Sequence, residues 1–233
     1  IGYFSADTES ESLVAMIKNA GAFFGVRIAP WLMLALAILV PVICLPLYRS
    51  AKKLAAVWDG EYEDLYNTID QKLSVAVWLA DAALILAVFL ITATYSVGME
   101  GIDNANGFVF FFINIAAFFA IMVEATVFQQ KCVDTTKQLN PEKKASVYDM
   151  QFHKKWMADC DEAEKIIIGK CAYKAYSATN IVCAVCAVVL AVCALTFNIG
   201  FLPSLIVCLI WMVNLSVYCK EAMRYSKAGN KIS

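Results

Sequence analysis

Residues 178–197 read ATNIVCAVCAVVLAVCALTF and contain no charged side chain. After three further residues, a second uncharged run, FLPSLIVCLIWMVNLSVYC, occupies positions 201–219. A helix needs about 20 mainly apolar residues to cross the roughly 30 Å hydrocarbon core of a bilayer. Two such runs with only three residues between them therefore predict an antiparallel pair of membrane-spanning helices.

Three more runs of this kind precede the pair, at residues 28–48, 75–97 and 107–128. Their only charged side chains are Asp81 and Glu124. The chain of 233 residues is 61% hydrophobic and 17% charged, and it has too little interior to hide so much apolar surface from water. Because backbone groups in lipid must bond within their own segment, each run is expected to be a helix. The sequence predicts an all-α, polytopic transmembrane bundle of five spans in one integral membrane domain, residues 1–233.

The lysines and arginines are unevenly distributed among the segments that connect the spans. Of the 19 in the chain, 17 fall in the segments that five spans place on one side, residues 49–74, 129–177 and 220–233. The opposite side receives residues 1–27, 98–106 and 198–200. Because positively charged segments stay in the cytoplasm, the first set is predicted to be cytoplasmic and the second external. The C-terminus is then cytoplasmic.

The start of the chain bears on the number of spans. It opens at Ile1 with the apolar segment IGYF, and an external N-terminus without a signal sequence needs an upstream element to export it. We therefore expect one further span in the parent protein, which makes six, with both termini inside. The alternative is a five-span protein that begins with a short interfacial segment.

The two long cytoplasmic segments are predicted to form amphipathic helices that lead into the spans. In residues 49–74, Asp59 and Gly60 interrupt the pattern, so two helical pieces are expected. In the second segment, Asn140 followed by Pro141 predicts a helix start, with asparagine as the N-cap and proline at the first helical position.

An apolar stripe follows that predicted helix start, with members at steps of three or four residues: Phe152, Trp156, Cys160, Ala163 and Ile167. On the opposite face, Asp161 and Lys165 are expected to form an ion pair one turn apart. This charged helical region is where we expect a cytoplasmic or membrane protein partner to dock. The candidate docking residues are Phe152, Lys154, Lys155, Trp156, Asp161 and Glu162.

Two carboxylates and three amides within the spans form a candidate intramembrane polar site. Asp81 and Glu124 both lie near the cytoplasmic ends of their spans, and a carboxylate inside a span indicates a proton or cation site. Alternatively, each carboxylate reaches the interface or pairs with Lys72 or Lys131. The amides, Asn114, Asn180 and Asn214, either complete a polar interior or join neighbouring helices by ordinary hydrogen bonds.

Several chemistries are disfavoured by what the sequence contains. Cys183 and Cys186 form a C-x-x-C inside an apolar span without a second pair at metal-binding spacing, so helix packing is the expected role. His153 is the only histidine, and no phosphate-binding G-x-x-x-x-G-K-[ST] motif occurs. The sequence therefore predicts no metal, no cofactor, no enzymatic activity and no nucleic-acid partner. The main expected partner of the chain is the lipid bilayer.

The second cytoplasmic segment also carries a family resemblance. The stretches YDMQFHKKW at 148–156, CDEAEK at 160–165 and AYKA at 172–175, with QKLS at 71–74, resemble the bacterial multi-pass membrane protein family named domain of unknown function 3169. Members of that family look like six-span proteins, which is similar to the expectation of one further span. Because the family is bacterial and multi-pass, the resemblance implies a bacterial cytoplasmic membrane location. The family has no established activity, so the resemblance assigns no functional residue.

Two functions fit these observations. The first is a non-enzymatic binding or regulatory membrane subunit that docks a partner through its cytoplasmic helices. The second is a small transporter or channel that uses the intramembrane carboxylates. The absence of large external segments favours the first.

Overall fold

The computed structural model describes residues 15–16, 18–60, 62–95, 105–197 and 201–229. Over these residues the chain is helical and contains no β-strand. A π-helical turn, Phe24–Ile28, precedes six helices: α1 Ala29–Val57, α2 Glu63–Tyr95, α3 Ala105–Leu139, α4 Phe152–Asp159, α5 Glu162–Phe197 and α6 Leu202–Gly229. All but α4 are long and apolar enough to cross a membrane. The predicted all-α polytopic bundle is confirmed.

The chain divides into two compact units, each described here by itself. The first unit, within Ile17–Cys160, contains the π-helical turn and α1 to α4. The second, which includes residues from Asp161 onward, contains α5 and α6. The predicted external segment 198–200 and most of 98–106 lie outside the described residues, as do residues 1–14.

The connection between α1 and α2 forms where the sequence predicts a break. Trp58 leaves the helix with an extended backbone, and Gly60 has a φ of +91°, a conformation that glycine adopts without steric cost. Glu63 and Asp64 then occupy the first turn of α2, where the helix dipole favours negative charge. We call the end of the first unit that holds this turn the charged end.

Small residues line the contact faces of the first unit. Ala76, Ala80, Ala83 and Ala87 of α2 are buried at steps of three or four residues, which lets the helix backbones approach closely. Large apolar side chains point outward instead, as Ile85 does with 72% of its surface exposed. Small residues inside and large apolar residues outside is a pattern typical of helices surrounded by lipid.

Helix α3 continues past the apolar run that ends at Phe128, and this overturns the helix start predicted at Asn140 and Pro141. The helix extends to Leu139, which is buried. Asn140 instead follows the C-terminus, where its backbone N–H donates to the Thr136 carbonyl at 2.8 Å. Proline also commonly follows a helix end because it cannot continue the helix. The prediction was wrong because Asn-Pro occurs at both kinds of helix boundary.

The apolar stripe predicted from Phe152 to Ile167 does not lie on one helix. α4 ends at Asp159, and Cys160 is extended with a ψ of 145°. Asp161 then caps α5: its Oδ1 accepts from the Glu164 N–H at 2.7 Å, and its own N–H donates to Glu164 Oε2 at 3.3 Å. This is a capping box, which fixes a new helix start.

The predicted ion pair between Asp161 and Lys165 was also wrong. Asp161 is occupied as the cap of α5, and Lys165 Nζ instead lies 3.2 Å from Glu162 Oε1. Capping places the Asp161 side chain over the first backbone N–H groups of the helix and not over its side face.

In the second unit, α5 and α6 form the predicted antiparallel pair. The rings of Tyr176 and Tyr218 stack with centroids 4.5 Å apart. Trp211 Nε1 donates to Asn180 Oδ1 at 3.0 Å, one turn further along. Most of the remaining side chains on these two helices are exposed apolar groups, such as Ile181 and Val188.

Candidate functional site

A cleft of about 440 Å³ opens beside α2 and α3 in the first unit, level with Asp81 and Gln129. One side is formed by Val77 and Asp81 of α2 with Gln129 and Val133 of α3, and the other by the segment that leads into α4 and the start of that helix. The lining residues are Val77, Asp81, Gln129, Val133, Val147, Asp149, Met150, Phe152 and His153. The cleft thus combines apolar walls with two carboxylates and the single histidine of the chain.

Asp81 lies in the wall of this cleft, bonded to a neighbouring helix. Its Oδ1 accepts a hydrogen bond from Gln129 Nε2 of α3 at 2.5 Å. The two lysines considered as its partners make other contacts. Lys72 Nζ donates to Ser50 Oγ at 2.6 Å, and Lys131 Nζ lies 5.8 Å from the centroid of the Phe128 ring.

Glu124 occupies a different position from Asp81 and does not line the cleft. It precedes Gln129 by five residues on α3, which places it about 7 Å deeper along the helix axis. Its Oε2 is buried, and no hydrogen-bond partner for it is found among the residues described. The structure therefore does not bring the two intramembrane carboxylates into one cleft.

The three amides predicted in the spans are split between the two units. In the first, Asn114 is 1% exposed; its Nδ2 donates to the Phe110 carbonyl of its own helix at 3.0 Å, and its Oδ1 has no partner in the described chain. In the second, Asn180 joins α5 to α6 through Trp211. Asn214 lies one turn from Trp211 on α6, with a buried Nδ2 that has no partner among described atoms. Asn180 therefore acts as an interhelical bond.

The segment between α3 and α4 folds back onto α3, and Gln130 holds it there. Gln130 is 9% exposed, and its Oε1 accepts from both Ser146 Oγ at 2.9 Å and the Val147 N–H at 2.8 Å. Its Nε2 donates to Asp134 Oδ1 at 2.7 Å, which fixes the orientation of the amide. One side chain of α3 therefore fastens the segment that closes the cleft.

Two aspartates order the rest of this segment. Asp149 Oδ1 accepts from the Gln151 N–H at 2.9 Å, and its Oδ2 accepts from Lys155 Nζ. The hydrogen bond from Lys155, with that from the Gln151 backbone, lowers the pKa of the Asp149 carboxyl below its ordinary value. Asp159 Oδ2 accepts from the Lys144 N–H at 2.8 Å and so connects the end of α4 to the segment between α3 and α4.

The predicted docking aromatics face their own unit. The rings of Phe152 and Trp156 lie 5.6 Å apart, and Phe152 lines the cleft. Lys143 Nζ lies 4.7 Å from the centroid of the Trp156 ring, and Lys143 itself is buried. These contacts give both aromatics a packing role within the first unit.

The four charged residues predicted to dock a partner differ in their contacts. Lys154 is exposed, whereas the neighbouring Lys155 is bonded to Asp149. Asp161 and Glu162 belong to the start of α5, as cap and as partner of Lys165. Of the charged docking residues on α4, both lysines are exposed, and Lys154 is the one that is not bonded to Asp149.

Sequence reasoning missed Gln129, Gln130 and Asp149. The two glutamines could have been recognised as candidate polar contacts, because they follow directly after the apolar run that ends at Phe128. The sequence indication for Asp149 was weaker: aspartate commonly accepts a hydrogen bond from the backbone N–H two residues later and so stabilises a turn. For metals, no group of three or more His, Cys, Asp or Glu side chains in the described part of the chain could hold an ion.

Comparison with known proteins adds the family. No curated protein and no solved structure matches the chain significantly. The pattern of the family described as "Protein of unknown function (DUF3169)" matches residues 1–222, which includes every residue of the cleft and nearly all of α5 and α6. The chain therefore belongs to the DUF3169 family of proteins of unknown function.

Proposed function

We propose that this protein is a non-enzymatic binding or regulatory subunit of the bacterial cytoplasmic membrane, which docks a partner protein on its cytoplasmic side. The charged end of the first unit then faces the cytoplasm, as does the C-terminus. Support for this sidedness comes from the segments 49–74, 129–177 and 220–233, which carry 17 of the 19 lysines and arginines.

The observation that supports docking is the way the segment before α4 is fastened. Its Val147 N–H donates to Gln130 Oε1 and its Lys144 N–H donates to Asp159 Oδ2, while Lys143 covers the Trp156 ring. A site for a partner works best on a rigid support, since less entropy is then lost on binding. On α4, Lys154 and part of Met157 remain exposed.

A charge reversal on that face tests the docking proposal. We expect Lys154→Glu to reduce at least tenfold the amount of a stoichiometric partner that co-purifies with the protein from bacterial membranes. The matched control is Lys53→Glu, an exposed lysine of α1 on the same predicted side. Equal losses with both variants, or no stoichiometric partner with the unaltered protein, would contradict docking through α4.

A second candidate, transport, is favoured by one observation on Glu124. Its Oε2 is buried within the first unit without a partner among the residues described. A carboxylate in that position is suited to take up and release a proton or cation. In reconstituted vesicles we would then expect a proton- or cation-linked flux that Glu124→Gln abolishes and that Glu63→Gln, at an exposed position of α2, leaves unchanged. A flux that persists in Glu124→Gln would exclude this role.

A further inference from the structure

The segment that leads into α4 returns alongside the apolar part of α3. Tyr148 shares a shallow cavity with five α3 residues, Phe119, Met122, Val123, Thr126 and Val127. All five belong to the apolar run that ends at Phe128. At 1.5 Å per residue they lie up to about 14 Å inside the end of that run. Tyr148 therefore lies beside α3 residues that the sequence places within a membrane span.

Two large exposed side chains of this segment are apolar or amphipathic. Tyr148 is 65% exposed, and Met150 is fully exposed where the segment passes the cleft. In water, such exposure of neighbouring large side chains would be unfavourable. At a membrane interface it is favourable, because tyrosine places its ring in the apolar region and its hydroxyl at headgroup level.

Irregular backbone at membrane depth also needs bonds for its polar groups. Here the Val147 N–H donates to Gln130 Oε1, and the Gln151 N–H donates to Asp149 Oδ1. The N–H groups of Asp149 and Phe152 donate to carbonyls within the segment, at 2.9 Å each. Side chains and local turns thus bond four backbone N–H groups of residues 147–152, which water would bond outside a membrane.

Charged residues flank this segment on both sides. Lys144 precedes it and Lys154 follows it, and both are exposed. Lysines beside an apolar interfacial segment meet the phosphates of lipid headgroups, each contributing about 1 kcal/mol to binding at an anionic surface. The distribution of charge therefore complements a phospholipid leaflet.

We propose that residues 145–151 form a re-entrant loop seated in the membrane leaflet beside the apolar run of α3, with Tyr148 and Met150 in contact with phospholipid and Asp149 on the cleft side, bonded to Lys155. Residues 129–177 are then not continuously in water, although their ends are. Phospholipid of that leaflet covers the surface of this loop. The depth of residues 145–151 in the leaflet then determines how far α4 lies from the membrane surface. This proposal does not depend on the docking function.

A photocrosslinking probe at Tyr148 tests the proposal. The variants are Tyr148→p-benzoylphenylalanine and, as the matched control, Tyr62→p-benzoylphenylalanine. Tyr62 is 67% exposed, nearly the same as Tyr148, but it lies in the α1–α2 connection, about 28 Å from Asp81 along α2. Each protein is reconstituted in vesicles of phosphatidylethanolamine and phosphatidylglycerol, irradiated and analysed by mass spectrometry for lipid adducts.

We expect lipid adducts at position 148 to exceed those at position 62 by at least fivefold. The same probe at Met150 provides a second measurement, and because that side chain is fully exposed its replacement removes no packing. Adducts at positions 148 and 150 no more frequent than at position 62 would overturn the proposal. Crosslinks from position 148 mainly to a second copy of the chain would also overturn it, because they would make this surface a protein interface.

Discussion

Two consecutive glutamines at the end of the apolar run of α3 connect that helix to different parts of the first unit. Gln129 bonds to Asp81 of α2, whereas Gln130 bonds to Ser146 and Val147 of the returning segment. Successive side chains on a helix point about 100° apart, so adjacent residues can serve two neighbours. The position of the cleft and its closure are therefore set by a pair of amides.

Removing the Gln130 amide should release the segment that closes the cleft. Loss of a partner for buried polar groups costs about 1–3 kcal/mol, so we expect Gln130→Ala to raise amide hydrogen exchange at Val147 by roughly tenfold or more. The control is Gln138→Ala, at an exposed position of the same helix. Unchanged exchange at Val147 in Gln130→Ala would show that other contacts hold the segment.

Asp149 gives the segment a dependence on pH. Its folded pKa is lowered below the ordinary value of about 3.9, so its stabilising effect is complete above about pH 5 and is lost as the pH falls through the folded pKa. We expect the protection factor of the Gln151 amide, corrected for intrinsic exchange, to be constant from about pH 7 to 5 and to fall below about pH 4.

The partner lysine provides the control for this pH dependence. Lys155→Met removes the main cause of the lowered pKa, so the loss of protection should move to higher pH. Lys154→Met changes an exposed neighbour and should leave the midpoint where it is. An equal displacement by both variants would indicate a general charge effect instead of the bond between Lys155 and Asp149.

At the scale of helices, their boundaries separate what a sequence can predict from what it cannot. The break at Asp59 and Gly60 was predicted correctly because few residues other than glycine adopt a φ of +91°. The boundary at Asn140 was placed correctly but given the wrong direction, because asparagine and proline suit both the end and the start of a helix. The capping box of Asp161 and Glu164 had a local pattern and could have been found.

Two glycines test this view of the helix boundaries with opposite expected signs. Gly60→Ala forces a Cβ into the left-handed region and should lower the free energy of unfolding by about 1 kcal/mol. Gly169→Ala, inside α5, should raise it by up to about 1 kcal/mol, because alanine loses less entropy in a helix. A Cβ at either position would meet no neighbouring atom among described residues, so packing does not interfere. Unfolding in mixed detergent micelles measures the free-energy change of each variant. Changes of the same sign in both variants would refute the argument.

At the scale of the whole molecule, the membrane-spanning helices follow from composition alone. Long runs without charge leave few alternatives to helices in lipid, and family membership agrees with the resemblance of the segment at 148–156. The cleft could not be predicted in the same way. It depends on bonds such as Gln130 to Val147, which join residues 17 positions apart and have no local sequence signature.

Within the first unit, the two predicted carboxylates do not share the cleft, because Asp81 lines it and Glu124 lies deeper along α3. In the second unit, Asn180 bonds to Trp211 of α6. Depth in a span can be read from the sequence, but the direction in which a side chain points depends on how the helices rotate against each other. Residues at similar depth can therefore face different neighbours.

Labelling of native cysteines with a membrane-impermeant maleimide tests the central claim that lipid surrounds these helices. Cys171 and Cys208 are both exposed on the protein surface, but Cys171 precedes the apolar run of α5 and Cys208 lies within that of α6. We expect Cys171 to react only after bacterial cells are broken open, and Cys208 to resist in both conditions because the charged, impermeant reagent does not enter hydrocarbon. Labelling of Cys208 as complete as that of Cys171 in broken cells, or labelling of Cys171 in intact cells, would contradict the account.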